Sequence, residues 1–281
     1  MSQVKCVELP TGIQMEYEDW GEGHRPLVLV HGFTGSRDDW RERLPELVVE
    51  GRTIAIDQRG HGGSTNTGDQ DTYTLEQLVL DLEAFDHALG LGPMDLLGHS
   101  LGGMVALRFA LRHPERVASL ILMDTSPYGL ELAPRRLLEG GTRFARVAGM
   151  IGLAQVMRET ERRNPQMPAS TRRLVTELGE EYWWKRTCAK LEKMDPEAFA
   201  GLGCALSEQA PVTDQLGSLR CPTTVIVGAE DVNFIAPSEK MAGAIPDARL
   251  VTLQNAAHNG QLEDPEAWMK TLREHLAHAR A

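Results

Sequence analysis

Residues 98–102 read Gly98-His99-Ser100-Leu101-Gly102, with an apolar run, Met94–Leu97, before them and helical spacing, Met104–Leu111, after them. A serine on so sharp a strand-to-helix turn is sterically crowded, so Gly98 and Gly102 must lack side chains, and Gly103 widens the same clearance. The turn also aims the first N–H groups of the helix at the reacting centre. Ser100 is the candidate nucleophile of this elbow, and the Leu101 N–H a candidate donor to an oxyanion. Because a serine hydroxyl attacks poorly until a base takes its proton, the chain must also supply a histidine and a group that orients it.

Three further loops offer these parts. His31-Gly32-Phe33-Thr34-Gly35 follows the run Leu27–Val30, where a second oxyanion donor is expected, and the Phe33 N–H is the candidate. His31, at a strand end beside a glycine, is expected to hold the loop by hydrogen bonds rather than to catalyse. Gly228-Ala229-Glu230-Asp231 follows the run Thr223–Val227 and puts a carboxylate at a strand's C-terminal end, so Asp231 is the candidate acid. His258 lies after the run Arg249–Leu253, before a helix that Asp264, Pro265 and Glu266 open, and is the candidate base. Glu230 and Asp124, which ends the run Ser119–Met123, are the rival acids.

The elements that must position these residues are legible as a rhythm. Val-, Ile- and Leu-rich runs at Leu27–Val30, Thr53–Ile56, Met94–Leu97, Ser119–Met123, Thr223–Val227 and Arg249–Leu253 read as fully buried strands. Helical stretches separate several of them. The clearest is Thr74–Leu89, with Leu75, Leu78, Val79, Leu82, Phe85 and Leu89 on one stripe and Thr74 with Gln77 as a capping box. Buried strands alternating with amphipathic helices predict an α/β fold, a mostly parallel central sheet flanked by helices. Val4–Leu9 and Ile13–Tyr17 flank Pro10-Thr11-Gly12 like a hairpin and predict an antiparallel edge. Between Gly129 and Ala210 the strand rhythm stops, which predicts a core of 1–128 and 211–281 carrying a helical cap of 129–210. Trp183 and Trp184 in the cap are candidate substrate-binding residues.

With 281 residues, 42% of them hydrophobic, the chain can bury a substantial core. A net charge of −11 repels phosphate backbones and anionic lipid heads, so a small-molecule substrate is expected, with neither nucleic acid nor membrane as partner. Met1–Pro10 lacks the apolar run of a signal peptide, and a cytoplasmic location is expected. The four cysteines, Cys6, Cys188, Cys204 and Cys221, are scattered without metal-ligand spacing and read as reduced thiols. No metal or organic cofactor is expected.

The ordered set His31-Gly32-Phe33, Asp57-Gln58-Arg59-Gly60-His61-Gly62-Gly63-Ser64, Gly98–Gly103, Gly228–Asp231 and His258 with Glu263-Asp264-Pro265-Glu266 resembles the α/β-hydrolase family across nearly the whole chain. Among its members the small microbial carboxylesterases and enol-lactone hydrolases look most similar. The resemblance implies a nucleophile–acid–base order of Ser100, Asp231 and His258, and a structural turn over Asp57–Ser64. Epoxide hydrolases and haloalkane dehalogenases of this fold place an aspartate where this chain has Ser100, which disfavours both. Carbon–carbon bond hydrolases often carry an H-G-x-G-P-G loop, here His31-Gly32-Phe33-Thr34-Gly35-Ser36. The expected activity is hydrolysis of a small carboxylic ester or lactone. A carbon–carbon hydrolase or lyase, a perhydrolase, and a ligand receptor on the same scaffold are the alternatives.

Overall fold

A computed structural model describes residues 4–130 and 132–281; Met1–Gln3, part of the stretch read above for a signal peptide, and Glu131 lie outside the described residues. Eight strands form one sheet: β1 (Val4–Glu8), β2 (Gln14–Trp20), β3 (Leu27–Val30), β4 (Thr53–Ile56), β5 (Met94–His99), β6 (Val117–Met123), β7 (Thr223–Gly228) and β8 (Arg249–Leu253). Their spatial order is β1-β2-β4-β3-β5-β6-β7-β8. The β1–β2 hairpin is antiparallel and β2 joins β4 antiparallel, while β4 through β8 run parallel. The expected hairpin edge is therefore present.

Side chains alternate across the sheet, so each inner strand feeds two cores. Val28, Val30, Ile54, Ile56, Leu96, Leu120, Leu122 and Val225 pack on one face beneath helices α1 (Leu75–Leu89) and α2 (Leu101–Arg112). Leu27, Leu29, Ala55, Leu97, Ile121, Met123 and Ile226 pack on the other with Trp40 and Trp268, whose rings stack at 6.3 Å. One strand departs from expectation. β8 is apolar in sequence but mostly exposed, because it ends the sheet and has a neighbour on one side only.

Helix α1 starts where expected, with Thr74 Oγ1 accepting from the Gln77 N–H at 3.1 Å. The reciprocal half of the capping box is replaced, since the Gln77 side chain donates to Asp81 instead (3.3 Å). Between β6 and β7 the described residues form four α-helices, α3 (Arg135–Arg162), α4 (Ala169–Leu178), α5 (Glu180–Glu192) and α6 (Pro196–Glu208). Helix α3 breaks at Gly149, whose φ of 75° and ψ of 165° no helix contains. Asp195 caps α6 and ties it to the sheet-bearing part, accepting from Glu197 N–H (2.9 Å), Gly68 N–H (2.7 Å) and Tyr73 O–H (2.5 Å). Helices α7 (Val232–Ala244) and α8 (Pro265–Arg280) complete the fold, α8 opening at Asp264 and Pro265 as read from the sequence. All four cysteines are free thiols. Among the described residues no helix is long and apolar enough to cross a membrane.

Candidate active site

β5 runs straight into Ser100, and α2 begins at the next residue. Ser100 has φ 53° and ψ −119°, a conformation that costs a non-glycine residue on the order of 1–3 kcal/mol and persists only where surroundings enforce it. The enforcement is visible. Its N–H donates to the Met123 carbonyl at the end of β6 (2.9 Å), and its carbonyl accepts from Thr125 Oγ1 (2.6 Å) and from the Gly103 and Met104 N–H groups. A β-carbon on Gly98 would run into the Gly102 carbonyl, and one on Gly102 into the Val30 and His31 carbonyls. The His31–Gly35 loop also lies against the serine, since a β-carbon on Gly32 would sit 3.0 Å from Ser100 Cβ. Among the described residues, the Phe33 and Leu101 N–H groups have no hydrogen-bond partner, and Leu101, as the first residue of α2, lies outside the helix ladder.

Asp231 and His258 meet. The His258 Nδ1–H donates to Asp231 Oδ2 at 2.6 Å, and among the described residues Nε2 makes no hydrogen bond, to Ser100 Oγ or to any other group. Two residues not singled out from sequence hold that histidine. The His99 Nε2–H donates to the His258 carbonyl at 2.7 Å, and the two rings lie 4.7 Å apart. Glu263 accepts from the N–H groups on both sides of His258, those of Ala257 (2.7 Å) and Asn259 (3.1 Å). Both act on backbone atoms, His99 on a loop 159 residues further along and Glu263 on amides four and six residues before it, contacts that a one-dimensional pattern does not display. The Phe234 ring lies 4.9 Å from the imidazole.

The rival carboxylates separate. Glu230 faces the cap, accepting from the Ser170 N–H (3.0 Å) and Oγ (3.1 Å). Asp124 is fully buried, its Oδ1 accepting from the Gly228 N–H (2.9 Å), and one donor atom each from Asp124, Asp231 and His258 lie within 4.8 Å of one another. Burial, and then the adjacent Asp231, push the Asp124 carboxyl well above the usual carboxylate range.

His31 does hold its loop, with Nδ1 at 2.8 Å from the Gly32 carbonyl and Nε2 accepting from the Gln58 N–H at 3.1 Å. In the Asp57–Ser64 turn, Asp57 pairs with Arg37 and accepts from the Gly63 N–H, while Arg59 pairs with Asp81. Burial holds His31 to about 4, His61 to about 3 and His99 to about 3. Burial likewise holds His275 to about 4, and since a histidine in the unfolded chain binds its proton near ~6.5, below that pH the unfolded state carries up to four protons that the folded state refuses. Stability should be full above about pH 6.5 and fall as pH drops, by ~1.4 kcal/mol per unit for each histidine. Urea unfolding at pH 7, 6 and 5 checks this; a stability unchanged across that range contradicts it.

A cleft of ≈ 840 Å³ is lined by Asp231 and His258, though not by Ser100, Phe33 or Leu101. Its walls come from Glu161 and Met167 of the helical insertion and from Glu230, Asn233 and Asn259 below, and no Lys or Arg lines it. Trp183 borders this cleft, whereas Trp184 does not. Both indoles pack with Leu174, and the Arg158 guanidinium lies 6.0 Å from the Trp184 ring centre.

A family profile for the alpha/beta hydrolase fold matches residues 25–265. A protein of Bacillus subtilis (strain 168), described as a putative 2-succinyl-6-hydroxy-2,4-cyclohexadiene-1-carboxylate synthase, is 28% identical over 275 residues, covering 96% of this chain and 97% of that protein. The structure of a thermophilic esterase from Thermogutta terrifontis superposes with a TM-score of 0.83 at 30% identity, covering 99% of this chain and all of the esterase. An enol-lactonase from Burkholderia xenovorans LB400, at 23% identity and a TM-score of 0.81, shares the fold over 97% of this chain and 100% of its own.

Proposed function

Because the chain belongs to the α/β-hydrolase family, we propose that it is a serine hydrolase, cleaving a carboxylic ester or lactone of a small molecule through a Ser100 acyl-enzyme. The observation that carries this reading is the 2.6 Å Asp231–His258 bond, on a loop pinned by His99, the residue next to the strained Ser100. Asp231 fixes the imidazole with its proton on Nδ1, so Nε2 is the nitrogen that takes the Ser100 proton. The hydroxyl oxygen attacks the ester carbonyl, and the Phe33 and Leu101 N–H groups receive the tetrahedral oxyanion. His258 then protonates the leaving alcohol, and a water deprotonated by the same nitrogen releases the acid. This chemistry asks for neither metal nor organic cofactor.

The cleft also favours esters over the carbon–carbon alternative. A carbon–carbon hydrolase or lyase acting on a carboxylate substrate needs a cation to receive it, and no Lys or Arg lines the cleft; of the insertion's arginines, Arg173 donates to the Asn255 and Glu263 carbonyls and Arg146 pairs with Glu197. With Glu161 and Glu230 in the walls, neutral substrates fit better than anionic ones. The test is a panel of neutral esters and lactones against vinylogous diketone acids. Preference for the diketone acids overturns the ester reading, and absence of multiple turnover on every substrate favours a receptor.

Trp183 is proposed as a substrate wall. Trp183→Ala should raise KM for longer acyl esters about tenfold, on the scale of ~1–2 kcal/mol of lost apolar contact, with little change in kcat. Trp184→Ala should lower stability without that KM change. If the two variants behave alike, Trp183 is packing only.

A further inference from the structure

Asp124 is the one group of the site that the acyl-transfer mechanism leaves without a task. It follows β6 in the left-handed backbone region (φ 44°), its N–H donating to the Ile226 carbonyl, so the side chain is aimed along the end of β7 towards Asp231. One carboxylate oxygen accepts from the Gly228 N–H; the other has no donor among the described residues and is sealed from solvent. Among the described residues no cation pairs with this carboxyl: the titratable groups facing it are Asp231 from the loop after β7 and, from the loop after β8, His258 and Glu263. Asp231 already accepts the short bond from His258. Two carboxylates this close in a dry place cannot both be ionised, and the one bonded to the imidazole has the better claim to the charge.

We propose that Asp124 is a neutral carboxylic acid that donates its proton in a hydrogen bond to Asp231, a positioning residue that extends the Asp231–His258 pair by one member. The bond occupies the buried oxygen that otherwise lacks a partner. It also holds the Asp231 carboxylate in the rotamer that meets Nδ1 and spreads its charge onto a group that is itself sealed from solvent. This rests on Asp231 and His258 acting as proposed above. Asp124 is therefore no second acid: it acts only through Asp231.

Asn at 124 keeps both contacts, an amide N–H to Asp231 and a carbonyl for Gly228, and leaves the site's net charge unchanged if Asp124 is neutral. Asp124→Asn should therefore stay within about threefold of wild-type kcat/KM on a neutral ester, with the acid limb of its pH profile unmoved. Asp124→Leu, which fills the space but cannot donate, should lose about tenfold or more in kcat. If Asp124 is ionised, Asp124→Asn removes a negative charge beside the imidazole, and the acid limb moves down by about one unit or more, which overturns the proposal. A second measurement needs neither variant nor turnover. The Asp124 carboxyl carbon of the ¹³C-labelled wild-type protein, assigned from its own backbone, should show the chemical shift of a protonated acid at neutral pH; the shift of an ionised carboxylate there overturns the proposal. Failure of the hydrolase reading shows separately, as a wild-type Ser100 that does not react with a fluorophosphonate.

Discussion

Ser100→Ala should abolish ester turnover and fluorophosphonate labelling together, with a loss on the order of 10⁶ in kcat, the scale on which triad enzymes respond to removal of the nucleophile. The size follows from covalent catalysis. Without the hydroxyl no acyl-enzyme forms, and the Phe33 and Leu101 N–H groups can only polarise a bound ester for attack by water. The fold should survive. Ser100 is held by its backbone, through Met123, Thr125, Gly103 and Met104, and none of these bonds uses the hydroxyl. A thermal midpoint within a few degrees of wild type, with activity gone, is the expected pairing. Labelling retained in Ser100→Ala, or found at another serine in the wild type, places the nucleophile elsewhere.

The parts of this molecule that sequence displays best are those set by local sterics and by period. Gly98 and Gly102 announce a close approach of backbones because no side chain fits there, and Leu27–Val30 or Thr53–Ile56 announce inner strands because both faces are covered. What depends on neighbours in space is less legible. The run Arg249–Leu253 has the composition of an inner strand, but its exposure is decided by its place at the sheet's end. Gln77 follows Thr74 at capping-box spacing, yet Asp81 one turn on offers its amide a charged acceptor. Trp183 and Trp184 are adjacent and so diverge by about 100° around their helix, which sends one to the cleft and the other away from it, a division that composition does not carry. His99, Glu263 and Asp124 are the sharpest case. His99 and Asp124 meet partners far along the chain, the His258 carbonyl and Asp231, while Glu263 holds the amides of Ala257 and Asn259 through a loop fold that spacing alone does not display.

Asp231→Asn should cost about 10⁴ in kcat while leaving the fold intact, the order borne by the equivalent change in chymotrypsin-type proteases. Nδ1 now bonds the short contact as a proton donor to a carboxylate. An amide in that place can present its N–H to Nδ1, which then becomes the acceptor and drives the ring proton onto Nε2. A histidine protonated there cannot take the Ser100 proton, and no charge remains to stabilise the imidazolium. The loss should appear in kcat more than in KM, because the ester is bound by the cleft and not by the imidazole. Asp124→Asn gives the contrast, since an amide at 124 can donate to Asp231 as the acid does and leaves the ring tautomer alone. The ratio of the two variants thus ranks the carboxylates by their distance from the proton that moves. Should Asp124→Asn be the crippled enzyme and Asp231→Asn work near the wild-type rate, the acid stands at the end of β6, and Asp231 is the residue that merely supports it.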